Sequence, residues 1–206
     1  MTRTDLAQRV APRQARSRAT IEHVLEVSAE LLEEVGLDGF NTNLLATRAG
    51  VGTRAIYRYF PNKFAIILAL AERFRDLERE WVGDLKALAG PPDWREAVRE
   101  AISGYFGAAS RRRGYAALRA ASQAVPQIKA LDDELSAELA RDLAKGLRDL
   151  GVSIPASHLG ALSRTIIEAA NRILDVALQC KPPEAKLLVR ELQRMIINLL
   201  AEYIDD

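Results

Sequence analysis

"GVGTRAIYRYFPNK" occupies residues 50–63 and carries two arginines and two tyrosines in one short helical stretch, closed by Pro61 and Asn62. Projected onto a helix from about Thr53 to Phe60, Ile56 and Phe60 fall on one face, four residues apart. They are placed to close a core against Leu25, Leu32 and Leu45. Arg54, Tyr57 and Arg58, three or four apart, share another face. That face covers no core. Arginine bridges two acceptors on a guanine edge or clamps a phosphate, and tyrosine donates to a phosphate or lays its ring on a thymine methyl. Thr53 and Lys63 start helices, where outward N–H groups favour a phosphate. Ordinary surface helices also carry Arg, and Tyr commonly snorkels at a core edge, so the neighbouring sequence has to decide.

Upstream, Ile21, Val24, Leu25, Ser28, Leu32 and Val35 recur every three or four positions. This stripe predicts an amphipathic helix over about 16–35, with Gly36 as its C-cap. "GLDGFN" (36–41) is a turn, and Asn41 or Thr42 caps a second helix through "NLLATRA" (43–49). Gly50 ends it. Asn62 caps a further helix that begins near Lys63. Three helices thus fit within about 50 residues, the last two joined by a Gly-containing turn, which is the helix-turn-helix arrangement. Arg3, Arg9, Arg13, Arg16 and Arg18, against Asp5 alone, make the first 18 residues a basic arm able to track a DNA backbone or enter a minor groove.

Downstream, "KFAIILALAERFRDLEREWVGDLKALA" (63–89) reads as one helix, ~30 Å or longer and able to connect two bodies. "GPPD" (90–93) breaks it. Further helices are predicted from Asp93 to about Ser110, around Tyr115, Leu118 and Ala121, from Ile128 to Leu150, over about 156–179 with Ser153 as cap and Pro155 in the first turn, and over about 184–203. No segment reads as a strand. The fold class is all-α: an N-terminal arm and three-helix helix-turn-helix DNA-binding domain (1–62), then a helical bundle (63–206).

The 206 residues suffice for a real core, and the net charge of +1 carries no information about an anionic partner. Cys180 is the sole cysteine, so no intrachain disulfide forms, which is compatible with a reducing cytoplasm. No apolar run approaches the ~18 residues of a membrane span, and none follows the N-terminal arginines before Ile21, so no secretory signal is expected. The expectation is a soluble cytoplasmic protein without a membrane partner. His23 and His158 are the only histidines. No nucleophile–base spacing, glycine-rich phosphate loop or H-E-x-x-H cluster is present. An enzyme is not expected, nor a cofactor or metal. The remaining rival to a DNA reader is a helical protein-interaction module, which leaves Arg54, Tyr57 and Arg58 without a purpose.

Residues 16–68 resemble the DNA-binding domain of the tetracycline-repressor-like (TetR) family. "TNLLATRAGVGTRAIYRYFPNKFAIIL" (42–68) matches the family pattern in order and spacing at Leu45-Ala46, Ala49-Gly50-Val51, Ile56-Tyr57, Phe60 and Lys63. The resemblance implies that Thr53, Arg54 and Ala55 face bases and that Tyr57, Arg58 and Tyr59 touch backbone or base edges. It implies phosphate contacts for Asn43 and Lys63. Gly52 stands where relatives carry a Ser or Thr cap, at a cost of a few tenths of a kcal/mol. Arg54 stands where many have Gly, which suggests a G-containing half-site. Leu44 is apolar where relatives are often polar, and nothing in the sequence explains it.

The last helix is apolar over more than the ~100° of a surface helix. Leu187, Leu188, Leu192, Met195, Leu199 and Tyr203 form one stripe, widened by Val189, Ile196, Ile197 and Leu200. Such a helix packs on two sides, one of them against a second copy. Ala161, Ala169, Ala170 and Ala177 let the preceding helix approach closely, giving a two-fold four-helix bundle. The resemblance implies the same homodimer, and a two-fold dimer calls for a palindromic operator in double-stranded DNA. The family also holds a small-molecule effector within the bundle. Trp94, Tyr105, Phe106 and Tyr115, with Gln123 and Asn171 as polar groups, are the candidates to line that site, and they suggest an apolar or aromatic effector. Glu168 and Arg172, four apart, suit a surface ion pair as well as a pocket. Arg111–Arg113 suit the C-terminus of a helix.

Overall fold

The computed structural model describes residues 15–87, 93–122 and 125–204. Arg3, Arg9 and Arg13 of the basic arm, and Gln123, lie outside the described residues, as do the side chains of Arg16 and Trp81. Among the described residues the elements are α1 (Ala15–Gly39), α2 (Thr42–Ala49), α3 (Thr53–Tyr59), α4 (Lys63–Ala87), α5 (Trp94–Ser110), α6 (Tyr115–Ser122), α7 (Pro126–Asp149), α8 (Ala156–Gln179) and α9 (Pro182–Leu200), with no strand. The all-α reading holds. None of these helices is long and apolar enough to cross a membrane.

The chain divides into two compact units: residues up to 76 with 112–130, and 77–111 with 131–206. α6 thus groups with the helix-turn-helix. In the first unit Ile21, Val24, Leu25, Ser28 and Leu32 of the predicted α1 stripe turn inward while Val35, its last member, stays exposed, and Leu31, Leu32, Phe40, Leu45, Ile56, Phe60, Ile66, Ile67 and Leu70 are fully buried. Each such side chain contributes about 1.5–3 kcal/mol of transfer free energy. Gly36 leaves helical geometry (φ 65°, ψ −178°) and interrupts α1 at the position read from the sequence as its end; one further turn runs to Gly39, where Phe40 N–H reaches Gly36 O at 3.1 Å. Asn41 caps α2, its Oδ1 accepting from Leu44 N–H at 2.9 Å, and Asn62 caps α4 through Ala65 N–H at 3.0 Å. Both capping residues were legible from the sequence.

In the second unit α9 packs on α8 and α5. Leu159, Leu162, Ile166, Leu174, Leu192, Ile196 and Leu200 form its centre. Gln193 Nε2 ties α9 to α5 by donating to Arg99 O (3.0 Å) and Ser103 Oγ (2.8 Å). Three expectations are corrected here. α8 starts at Ala156 with Pro155 itself at the N-cap, so Ser153 does not cap it. α9 starts at Pro182, not 184, because a proline's fixed φ suits the first helical position. Glu168 pairs with Arg164 at 2.6 Å, one turn before it rather than one turn after.

Candidate nucleic-acid interface

The turn between α2 and α3 is built by its glycine. Gly50 adopts φ 63°, ψ 27°, left-handed geometry in which a Cβ is strained. Gly50 N–H reaches Thr47 O (3.3 Å) and Val51 N–H reaches Ala46 O (3.1 Å), so the last carbonyls of α2 are satisfied. Gly52 then heads α3 without a side-chain cap. The two helices are joined in three residues, and α3 is pinned to the core by Ile56, Tyr59 and Phe60, all buried.

That anchoring turns the opposite face outward. Arg54, Tyr57 and Arg58 are exposed, Tyr57 to 42 %. Thr53, Ala55 and Lys63 are half-buried at the margin, and Asn43 is exposed at the start of α2. Tyr59 is not on this surface: it is 8 % exposed, one turn from Ile56 on the inward face, with the Arg58 guanidinium 5.7 Å from its ring centre. Charge is distributed accordingly. No acid lies between Asp38 and Glu72, while Arg48, Arg54, Arg58 and Lys63 do. Arg48 is neutralised by Glu34 through two bonds of 3.0 and 2.7 Å, which hold the Glu34 carboxyl below its usual range. No carboxylate pairs with Arg54 or Arg58 among the described residues. The result is a cationic, phenol-bearing face with its charge uncompensated, suited to phosphates and base edges.

Several tethers set this surface, and sequence reasoning did not find them. Thr42 Oγ1 lies 3.0 Å from the Tyr57 hydroxyl. Lys63 Nζ donates to Leu37 O at 3.0 Å, tying the start of α4 to the end of α1. His23 Nε2 lies 3.2 Å from Ala49 O. Each joins segments 15 to 26 residues apart. No local spacing announces such pairs, although a small hydroxyl residue in the first turn of α2 was the one available signal for Thr42.

The candidate effector residues do not all share one unit. Trp94, Tyr105 and Phe106 pack on the core of the second unit. Among the described residues the buried Trp94 Nε1 there has no hydrogen-bond partner, and neither has Ser163 Oγ on α8. Asn171 Nδ2 donates to Ser136 Oγ at 2.9 Å. Tyr115 belongs to the first unit, 3 % exposed, its ring edge-on to Phe74 at 5.4 Å. Arg112 and Arg113 also belong to that unit, while Arg111 caps α5 in the second. Arg113 pairs with Glu30 at 2.8 Å and the Arg112 guanidinium lies 6.0 Å from the Phe74 ring centre.

An all-helical chain with a helix-turn-helix whose second helix shows an unneutralised Arg/Tyr face defines a DNA-binding regulator. Residues 24–70 match the family described as "Bacterial regulatory proteins, tetR family", and residues 93–200 match "Tetracyclin repressor-like, C-terminal domain". The chain belongs to the TetR family, whose members are ligand-responsive, DNA-binding transcriptional regulators. It is 31 % identical to the class C tetracycline repressor protein of Escherichia coli over 115 residues, 55 % of this chain and 51 % of that protein. It is 49 % identical to the class A repressor from transposon 1721 over 49 residues, 24 % of this chain and 23 % of that protein. The chain thus spans about half or less of these relatives' length. A TetR-family transcriptional regulator from Streptomyces coelicolor shares the fold with a TM-score of 0.65 at 23 % identity, over 90 % of this chain and 99 % of that one. A SmeT–triclosan complex does so with a TM-score of 0.68 at 20 % identity, over 91 % and 93 %.

Proposed function

We propose that this chain is a cytoplasmic repressor that binds a palindromic operator in double-stranded DNA as a homodimer and is released by an apolar or aromatic small molecule. It acts by binding, without catalysis. Residues 1–62, with Lys63 at the start of α4, carry the DNA contacts, and effector binding and dimerisation reside in 63–206. Arg54 reads a guanine edge, Thr53 and Ala55 border the same bases, and Tyr57, Arg58, Asn43 and Lys63 meet the sugar–phosphate backbone. Trp94, Tyr105, Phe106 and Asn171 line the effector site, the unpaired Trp94 Nε1 offering a donor to a polar atom of the ligand. The observation that carries this reading is the exposed Arg54–Tyr57–Arg58 face within an acid-free stretch of chain. A structural neighbour captured with triclosan is a precedent for an aromatic effector in this fold.

Release follows from coupling. α4 supplies residues to both units. A ligand that favours one setting of that helix shifts operator binding only if it binds the two settings with different affinity. A coupling of ~1–3 kcal/mol weakens the operator complex about 5- to 150-fold.

The test is selection of genomic fragments by the purified chain, refolded to strip any carried ligand, followed by a salt titration of the best fragment. A palindrome with affinity falling steeply as salt rises is expected. Fragments no better than random DNA at moderate salt would overturn the reading.

A further inference from the structure

We infer that Thr42 is a positioning residue for DNA binding: it holds the Tyr57 phenol in place and supplies the hydrogen bond that frees the phenolic proton for a DNA phosphate. The inference rests on the reading of α3 as the DNA-facing helix. Three observations carry it.

Tyr57 is the one exposed aromatic residue on the face that bears Arg54 and Arg58. The residue is 42 % exposed, so core packing alone does not lock its side chain. The hydroxyl, however, is 3.0 Å from Thr42 Oγ1, and Thr42 is 9 % exposed in the first turn of α2. Burial and β-branching leave the Thr42 side chain few rotamers, so its hydroxyl is the better-fixed of the two groups. The mobile, exposed group is therefore tethered to the rigid, buried one, and the tether crosses from the first helix of the motif to the second.

The chemistry sets the direction of the bond. A phenol has one proton and a threonine hydroxyl has one proton. A phosphate offers only acceptors. If Tyr57 gave its proton to Thr42, it would present only lone pairs to the phosphate, and the contact would be repulsive. With Thr42 as donor and Tyr57 as acceptor, the phenolic proton points to the DNA. The chain Thr–OH to Tyr–OH to phosphate also polarises in the favourable sense, since accepting a bond makes the phenol a better donor. Free protein can adopt either direction. DNA selects one.

The test uses the full chain and the genomic fragment that the wild-type chain selects most strongly. T42V keeps the shape and removes the hydroxyl, T42S restores it, and Y57F removes the phenol. T42V is expected to weaken binding about three- to tenfold. T42S is expected to stay within about twofold of wild type. In a Y57F background, T42V is expected to add less than about twofold, because its only route to DNA is gone. The slope of log affinity against log salt is expected not to change in T42V, since no cation is removed. T42A makes the same comparison should valine disturb α2, with folding checked by circular dichroism. Equal binding by T42V and wild type overturns the inference. So does a T42V loss that persists undiminished in Y57F, which would place Thr42 on the DNA itself or in the fold alone. A wild-type chain that selects no fragment sinks the DNA reading, and this inference with it.

Discussion

Among the described residues Arg54 and Arg58 are exposed charges with no carboxylate partner, while Arg48, on the neighbouring helix, is neutralised by Glu34. Replacing Arg54 by Ala is therefore expected to remove about 1–3 kcal/mol of discrimination at one base position and to leave the unfolding midpoint where it was. Binding to an operator set varied at each position checks it. The Glu34–Arg48 pair makes a different kind of prediction. Arg48 holds the Glu34 carboxylate below its ordinary range, with burial opposing and Arg113 adding a smaller pull. A depressed folded value means the pair stabilises above the unfolded glutamate value, about 4.3, and that this stabilisation disappears as pH falls through the folded value. E34Q is thus expected to be slightly less stable than wild type at neutral pH, with the difference shrinking as pH falls below that unfolded value, by denaturant unfolding over a pH series. At this scale the outward face was legible because residues three and four apart share a helix face. The same rule puts Tyr59 one turn from Ile56, and its burial follows from it. The Thr42–Tyr57 and Lys63–Leu37 bonds were not legible, since they depend on where separate segments meet.

Between elements, α6 seats closely on α1 at Gly114. Gly114 opens α6 at φ +74°, its N–H donating to Glu33 Oε2 at 2.8 Å, and a Cβ there would lie 2.4 Å from Ala29 O. Backbone cannot give way as a side-chain tip can. G114A is expected to cost at least about 2 kcal/mol, from left-handed strain and overpacking together. Thermal unfolding of the full chain measures it, and an unchanged midpoint would contradict the seat. None of this was visible in "RRRGY" (111–115), which reads only as a helix end and a turn. Helix ends marked by Asn41, Gly50, Asn62 and Asp93 were readable because capping chemistry is local. Pro155 and Pro182 misled by one to three residues: the same ring that breaks one helix starts the next.

At the scale of the whole molecule, α9 buries Val189, Leu192, Ile196 and Leu200 within its own chain and leaves Leu187 (55 %) and Met195 (42 %) open. They are open apolar positions on a helix whose sequence calls for packing on two sides, one of them against a second copy. L187E/M195E is expected to sediment as a monomer and to lose most of its preference for a full palindrome over a half-site. An unaltered sedimentation coefficient would count against that interface. The most direct test of the central claim, that α3 reads DNA, is a binding titration of wild type and R54A/R58A on the selected fragment across a range of salt. The DNA reading predicts that the double variant, folded as wild type by circular dichroism, binds at least about tenfold more weakly. Its salt slope should fall by about 0.9 for each phosphate that an arginine no longer neutralises. Equal affinity and equal slope would contradict it.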